Sequence, residues 1–266
     1  MKREFAVLGM VICVAAGFGL GWFIPPLLTA EPTERKTLLE EIQGQGYIIV
    51  GTDEPWPPFE IFNVTADEWQ GFDIDLSAMI AVHLGVALIM TDMDFDLLIG
   101  ACKAGSIDMI AAAMMVTSTR AEQLAHSVPY IRVNEVVIVQ SVSTINITSL
   151  TEITAYTVGV QSGTTQHDTL KDLGMTEGVN LLVYPKADVL MAALDLGTID
   201  AAFVDEPVFT VYAKTYAFKS IFTVPAEPTA LWCRWEEPEL MKEINKVILN
   251  AFGDGSMDLL IEKWFG

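Results

Sequence analysis

The chain has 266 residues, 52% of them hydrophobic, and a formal charge of −20, which supplies a packed core and speaks against disorder. No basic patch exists to release counterions, which argues against nucleic acid and anionic membrane surfaces as partners. The length suits two lobes of ordinary domain size.

Lys2 and Arg3 precede an apolar run from Phe5 to Leu28 that Pro25-Pro26 interrupts. A positive flank followed by an apolar core is an export signal. Phe5 to Ile24 carries no charge, and that is longer than the roughly 7–15 residues of a cleavable core and close to the roughly 20 that span a bilayer. Leu28-Thr29-Ala30 puts a leucine where cleavage wants a small residue. Residues 1–30 are therefore expected to be an uncleaved membrane anchor, with everything after them outside the cytoplasm. Cys13 lies in this run; Cys102 and Cys233 either pair in an oxidising compartment or stand as separate buried thiols.

Beyond a charged tether, Thr37–Gln45 reads as a short helix and Tyr47–Gly51 as a buried strand. Trp56-Pro57-Pro58 cannot continue either, so Asp53–Phe59 is a rigid loop at the strand's carboxyl end. Leu76, Met79, Ile80 and Leu84 recur at helical spacing and Gly85 stops them; Phe95, Leu98, Ile99 and Cys102 repeat the pattern up to Gly105. A strand over 107–113 follows, then a helix from about Ser118, where Thr119 and Glu122 have capping-box spacing. Gly105-Ser-Ile-Asp108 is echoed by Gly197-Thr-Ile-Asp200, each between a helix and a strand, which predicts two similar α/β lobes. Glu135–Gln140 is predicted to be the strand that crosses between them. Strands at 157–161, 181–184 and 201–204 then alternate with helices at 166–173, 187–196 and 207–217, before a second crossing near Pro225–Thr229. The tail, 238–252 and 257–265, is helical and returns to the first lobe.

Ligands of open α/β sheets sit beyond the carboxyl ends of the strands. There lie Asp53 and Trp56, then Thr117 and Arg120, then Gly163-Thr164-Thr165, then Asp205. The guanidinium of Arg120 is a fork that holds a carboxylate, and the carboxylate of Asp205 opposite would hold an ammonium. Together they fit the head group of an α-amino acid, with nothing that must react. The plainer roles are a surface ion pair for Arg120, a helix cap for Asp205 ahead of Pro207, a turn-former for Asp53 and a cap for Thr165.

Several motifs stand in order along the chain: Gly51-Thr-Asp53, Pro57-Pro-Phe59-Glu60, Gly71-Phe-Asp-Ile-Asp-Leu76, Thr117-Ser-Thr-Arg120, Ser127-Val-Pro-Tyr130, Gly159–Thr165, Ile199–Asp205 and Lys263-Trp-Phe-Gly266. With them, the chain from about residue 37 resembles the extracellular solute-binding proteins of family 3, the polar amino-acid receptors of ABC importers. The resemblance implies an α/β two-lobe clamshell of the periplasmic-binding-protein type II with two crossing strands. Lobe one would be residues 31–137 with 228–266, and lobe two 138–227. It implies delivery of an L-amino acid, polar or cationic, to a permease, with no cofactor, no metal and no catalytic residue. Arg120 would take the α-carboxylate, helped by Thr117 and the helix amides, and Asp205 the ammonium. Trp56 and Phe95 would sandwich the side chain, Asp53 would reach it, Gln161 would discriminate among side chains, and Thr165 would meet the carboxylate from lobe two. Residues 159–166 and 199–206 resemble histidine- and lysine/arginine/ornithine-binding members, whereas Met93-Asp-Phe95 resembles glutamine-binding ones. Ala113 and Met115 stand where members often have Ser, Thr or Gly, making that wall more apolar.

Two rivals remain. Some proteins on this scaffold resemble cyclohexadienyl or arogenate dehydratases, which would need a pocket carboxylic acid poised near working pH, and Asp53 is the candidate. A sensor would need a separate signalling partner. His83, His126 and His167 have no metal-ligand spacing, and His83 and His167 are expected on helix surfaces.

Overall fold

In the computed structural model, which describes residues 36–266, the chain enters helix α1 (Leu38–Gln45) through a reciprocal cap. Thr37 Oγ1 accepts from the Glu40 amide at 3.2 Å, and the Thr37 amide donates to Glu40 Oε2 at 3.0 Å. The expected leader, with Cys13, lies outside the described residues. Among those described, no helix is long and apolar enough to cross a membrane.

Strand β1 (Tyr47–Thr52) leads to a hairpin of β2 (Ile61–Asn63) and β3 (Glu68–Gln70), then α2 (Phe72–Leu84), β4 (Ala87–Asp92), α3 (Leu98–Ala104), β5 (Met109–Ile110), α4 (Ser118–Ala121) and β6 (Ala125–His126). The next run is β7 (Asn134–Gln140), β8 (Val158–Gln161), α5 (Thr165–Asp172), β9 (Leu181–Tyr184), α6 (Ala187–Asp195), β10 (Ala201–Asp205), α7 (Glu206–Tyr212) and β11 (Phe218–Pro225). Strand β12 (Trp232–Cys233) and helices α8 (Pro238–Asp254) and α9 (Ser256–Phe265) close the chain. One sheet has the order β4-β1-β5-β12-β6 and the other β11-β7-β10-β8-β9. In each, three strands run parallel at one side and antiparallel strands complete the other.

The Gly-x-Ile-Asp echo performs the same mechanical task in both sheets. Asp108 accepts the Ile49 amide through its carboxylate at 2.9 Å while its own amide donates to the Ile49 carbonyl at 2.8 Å. Asp200 does likewise to Thr157, at 2.8 Å in both directions. Each Asp therefore clamps the start of the neighbouring parallel strand, and each preceding Ile is buried. A Cβ on Gly51 would overlap Ile107, and one on Gly159 would overlap Ile199, so each glycine lets the strand lie directly on the isoleucine.

The crossing differs from the expectation. Residues 134–140 lie wholly within the second sheet, where β7 pairs with β10 and β11. The chain crosses earlier, where the Ser127 and Tyr130 amides donate to the carbonyls of Leu231 and Thr229 at 2.8 and 3.0 Å, so outward and returning segments pair with each other. Four apolar residues in succession, Val136–Val139, all buried, mark a strand covered on both faces rather than a hinge. Strands β4, β11 and β12 and the β2–β3 hairpin were not expected. The helix predicted over 207–217 ends at Tyr212, and β11 follows with a register shift between Ser220 and Phe222.

Two sequence motifs hold the tail. Asp75 of Gly71–Leu76 accepts from Lys263 Nζ at 2.6 Å and Trp264 Nε1 at 2.8 Å. Phe265 packs edge-on against Phe59 and Phe72, with centroids 5.2 and 5.3 Å apart. Gly71 has φ +140, and a side chain there would collide with the Phe59 carbonyl that receives the Asp73 amide. Cys102 and Cys233 are separate buried thiols, each pushed up to about 12 by burial.

Candidate ligand-binding site

The carboxyl ends of β1, β5, β8 and β10 converge on one cavity between the sheets. From the first sheet's side Trp56, Phe95, Ala112, Ala113, Met115 and Arg120 line it; from the second come Gln161, Thr164, Thr165, Gln166 and Asp205. Its empty volume is about 270 Å³. Of the nine residues singled out in the sequence, Asp53 and Thr117 are absent from the lining.

Thr117 serves the backbone instead: it caps α4, accepting the Arg120 amide at 3.2 Å, in place of the predicted Thr119–Glu122 box. That cap turns Arg120 inward, where it is 7% exposed and so no surface ion-pair residue. Nη1 donates to the Met115 carbonyl at 2.8 Å and Nη2 crosses to the Gly163 carbonyl at 3.1 Å. The guanidinium also lies over the Phe95 ring, 5.2 Å from its centroid. Burial lowers its pKa to about 10, against the pull of Asp168, Asp205 and Glu135, so it stays a cation at neutral pH. Two carbonyls do not exhaust the five donors of a guanidinium.

Asp205 stands at the N-cap of α7, yet its side chain caps nothing. It faces the cavity, where Oδ2 accepts from Trp56 Nε1 at 3.0 Å and Oδ1 from Gln166 Nε2 at 2.7 Å. Burial, and then the charge of Glu135, push its pKa up to about 7; Trp56, Gln166 and Arg120 pull the other way. Glu135 was not singled out. It pairs with Asp205 in the β7–β10 ladder, and burial raises its pKa too. Thr165 Oγ1 donates to Glu135 Oε1 at 2.7 Å, while the neighbouring Thr164 supplies the cap of α5. The signal for Glu135 was a single charge opening an otherwise apolar strand.

Asp53 lies behind Gln161, 2% exposed. Gln161 Nε2 donates to its Oδ2 and also to the Pro185 carbonyl at 2.8 Å. Lys186, likewise missed, donates to Asp53 Oδ1 at 2.7 Å and Asp92 Oδ1 at 2.8 Å, reaching across from the β9–α6 turn. Burial raises the Asp53 pKa to about 6 despite Lys186. Lys186 was legible only as the residue after Tyr184-Pro185 at a strand's carboxyl end.

A second tier shapes the wall. Asp73 is fully buried; it accepts the Ala113 amide at 2.7 Å and the Tyr130 hydroxyl at 2.7 Å. It thereby holds Ala113 at φ +47, a conformation that costs a non-glycine residue energy. Burial raises Asp73 to about 6, and raises fully buried Glu60 well above its usual range, with the charge of Asp73 adding next. His167 is buried rather than on the surface: the Gly163 amide donates to its Nδ1 at 3.3 Å, and Nε2 meets Glu177 at 3.0 Å, fixing the Gly163 loop. His83 is on the surface as expected, beside Glu243.

Two α/β lobes joined by paired crossing segments, with charged groups facing one cavity from both sides, define a binding-protein clamshell of type II. Residues 48–266 match the bacterial extracellular solute-binding proteins, family 3, and the chain belongs to that family. It is 28% identical over 226 residues to the arginine-binding extracellular protein ArtP of Bacillus subtilis, covering 84% of this chain and 87% of that one. An ancestral arginine-binding protein bound to glutamine superposes with a TM-score of 0.77 at 33% identity, covering 83% of this chain and 98% of that one. The ancestral amino acid-binding protein AncCDT-1, a precursor of cyclohexadienyl dehydratase, gives 0.79 at 28% identity, with 87% and 100% covered.

Proposed function

We propose that the protein is an extracytoplasmic receptor that binds an L-amino acid in this cavity and delivers it to the permease of an ABC transporter, tethered to the membrane by residues 5–28. Residues 36–133 with 228–266 form one lobe and 134–227 the other, because β7 belongs wholly to the second sheet. The observation that carries the reading is the buried pair of opposite charges, Arg120 from the first sheet's side and Asp205 from the second, facing one small cavity. An α-carboxylate on the free donors of Arg120 and an ammonium on Asp205 would make the ligand a bridge, so binding favours the closed arrangement. Trp56 and Phe95 flank the side chain, and Thr165 adds a hydroxyl from the second lobe. The amino-acid-binding relatives support the reading. The test is calorimetric titration of the full-length protein in detergent, unfolded and refolded to strip carried-over ligand, with the twenty amino acids and ornithine. Tight binding of one or a few is expected; no binding by folded protein would refute it.

A second reading has one observation in its favour. Asp205, held near neutral by burial, is the poised carboxylic acid that a dehydratase of prephenate or arogenate would need, and one relative is a dehydratase precursor. Loss of either substrate on incubation, with release of CO2 and water, would establish it.

A further inference from the structure

The ion pair of Lys186 and Asp53 takes no part in holding an amino-acid head group; it lies directly behind Gln161, which lines the cavity and donates to Asp53. Asp53 is gripped from two sides, by the Gln161 amide and by Lys186 Nζ. Lys186 also bonds Asp92 and stands 4.0 Å from Asp94, with its side chain only 19% exposed. These carboxylates belong to the first sheet's side and Lys186 to the second's. Two carboxylates around a half-enclosed point are costly unless a cation lies between them. A ligand's guanidinium or ammonium could serve, but here the chain supplies that cation itself. What lines the cavity in front of this pair is then a neutral amide, Gln161. A cationic side chain reaching toward Gln161 would find Asp53 behind it already paired, with Lys186 present as a like charge.

We propose that Lys186 is a specificity-determining residue: it fills the anionic corner of Asp53 and Asp92, so that the cavity favours an amino acid with a neutral side chain over one ending in a cation. The inference rests on the receptor reading above and deepens it. It also departs from the arginine named for the Bacillus subtilis relative, as a receptor can do by presenting a repulsive element to one ligand class.

The test is the ratio of dissociation constants for arginine and lysine against glutamine and methionine, measured with the full-length protein and with Lys186→Met. In the wild type the better neutral ligand is expected to bind at least about tenfold tighter than the better cationic one, and Lys186→Met to shift that ratio toward the cation by about tenfold or more. Adding Asp53→Asn should reverse the shift. A purely structural role, in which Lys186 only ties the lobes together, would weaken all four ligands in parallel and leave the ratio where it was. Should Lys186→Met fail to fold, Lys186→Gln replaces it. A ratio within threefold of wild type, or a wild type that prefers arginine or lysine, overturns the inference while the receptor stands. If folded wild type binds no amino acid, the receptor reading falls and this one with it.

Discussion

Asp205 gives the sharpest handle on the site. An ammonium needs the ionised carboxylate, but burial holds this group at about 7, so ligand must displace a proton in acid solution. For one linked proton, affinity falls by the factor by which the protonated form accumulates, and between pH 8 and pH 5 this is about 90-fold, or about 2.7 kcal/mol. Arg120, at about 10, stays charged across that window, so the carboxylate contact does not change. Glu135, opposite Asp205 and also raised, titrates in the same sense; Asp53, at about 6, is tied to Lys186. Calorimetry in buffers of different ionisation enthalpy should therefore show tighter binding as pH rises, with close to one proton released per ligand near pH 5.5. Glu135→Gln removes a charge that raises Asp205 and should move the transition to lower pH. Asp205→Asn should weaken binding and flatten the profile without unfolding the protein. An affinity that changes less than threefold from pH 5 to 8, or proton uptake on binding, would refute the placement of the ammonium.

Arg120→Ala removes a buried charge-assisted contact and should cost about 3 kcal/mol or more, over a hundredfold in affinity, with the melting temperature retained; titration within tenfold of wild type would sink the carboxylate assignment. Asp53, Glu60, Asp73 and Asp205 all have folded-state pKa values above their unfolded ones because of burial. A raised carboxyl stabilises the fold fully below its unfolded pKa and loses that contribution as pH rises through the folded one. The ligand-free protein should therefore melt higher at pH 5 than at pH 8, and a scan showing the reverse would contradict the shifts. Ala113→Gly relieves the φ +47 strain but loosens the unfolded chain, so it should stabilise by at most about 1 kcal/mol in chemical denaturation; a clear loss of stability would mean that the methyl group's packing outweighs the strain.

Much was legible from short-range rules. The short helix expected over Thr37–Gln45 is there because its Thr37–Glu40 cap bonds within one turn. The Gly-x-Ile-Asp echo announces two like sheets because a helix stop, a buried isoleucine and a strand clamp are needed wherever such a unit closes. Arg120 and Asp205 stand just beyond the carboxyl ends of strands, where ligands of open α/β sheets sit. Other features depended on pairings remote in the chain. β7 reads as a crossing strand until its neighbours β10 and β11 are known, and Thr117 and Asp53 look like ligand contacts until the helix cap and Lys186 claim them. Local sequence determined most helices and the strands that lead into the site, and which chemistry lies at their ends, since propensity, capping and apolar period act over a few residues. Only the tertiary structure decided which charges face the cavity and which are already neutralised, because burial and ion pairing join groups such as Asp53 and Lys186 that the sequence holds far apart.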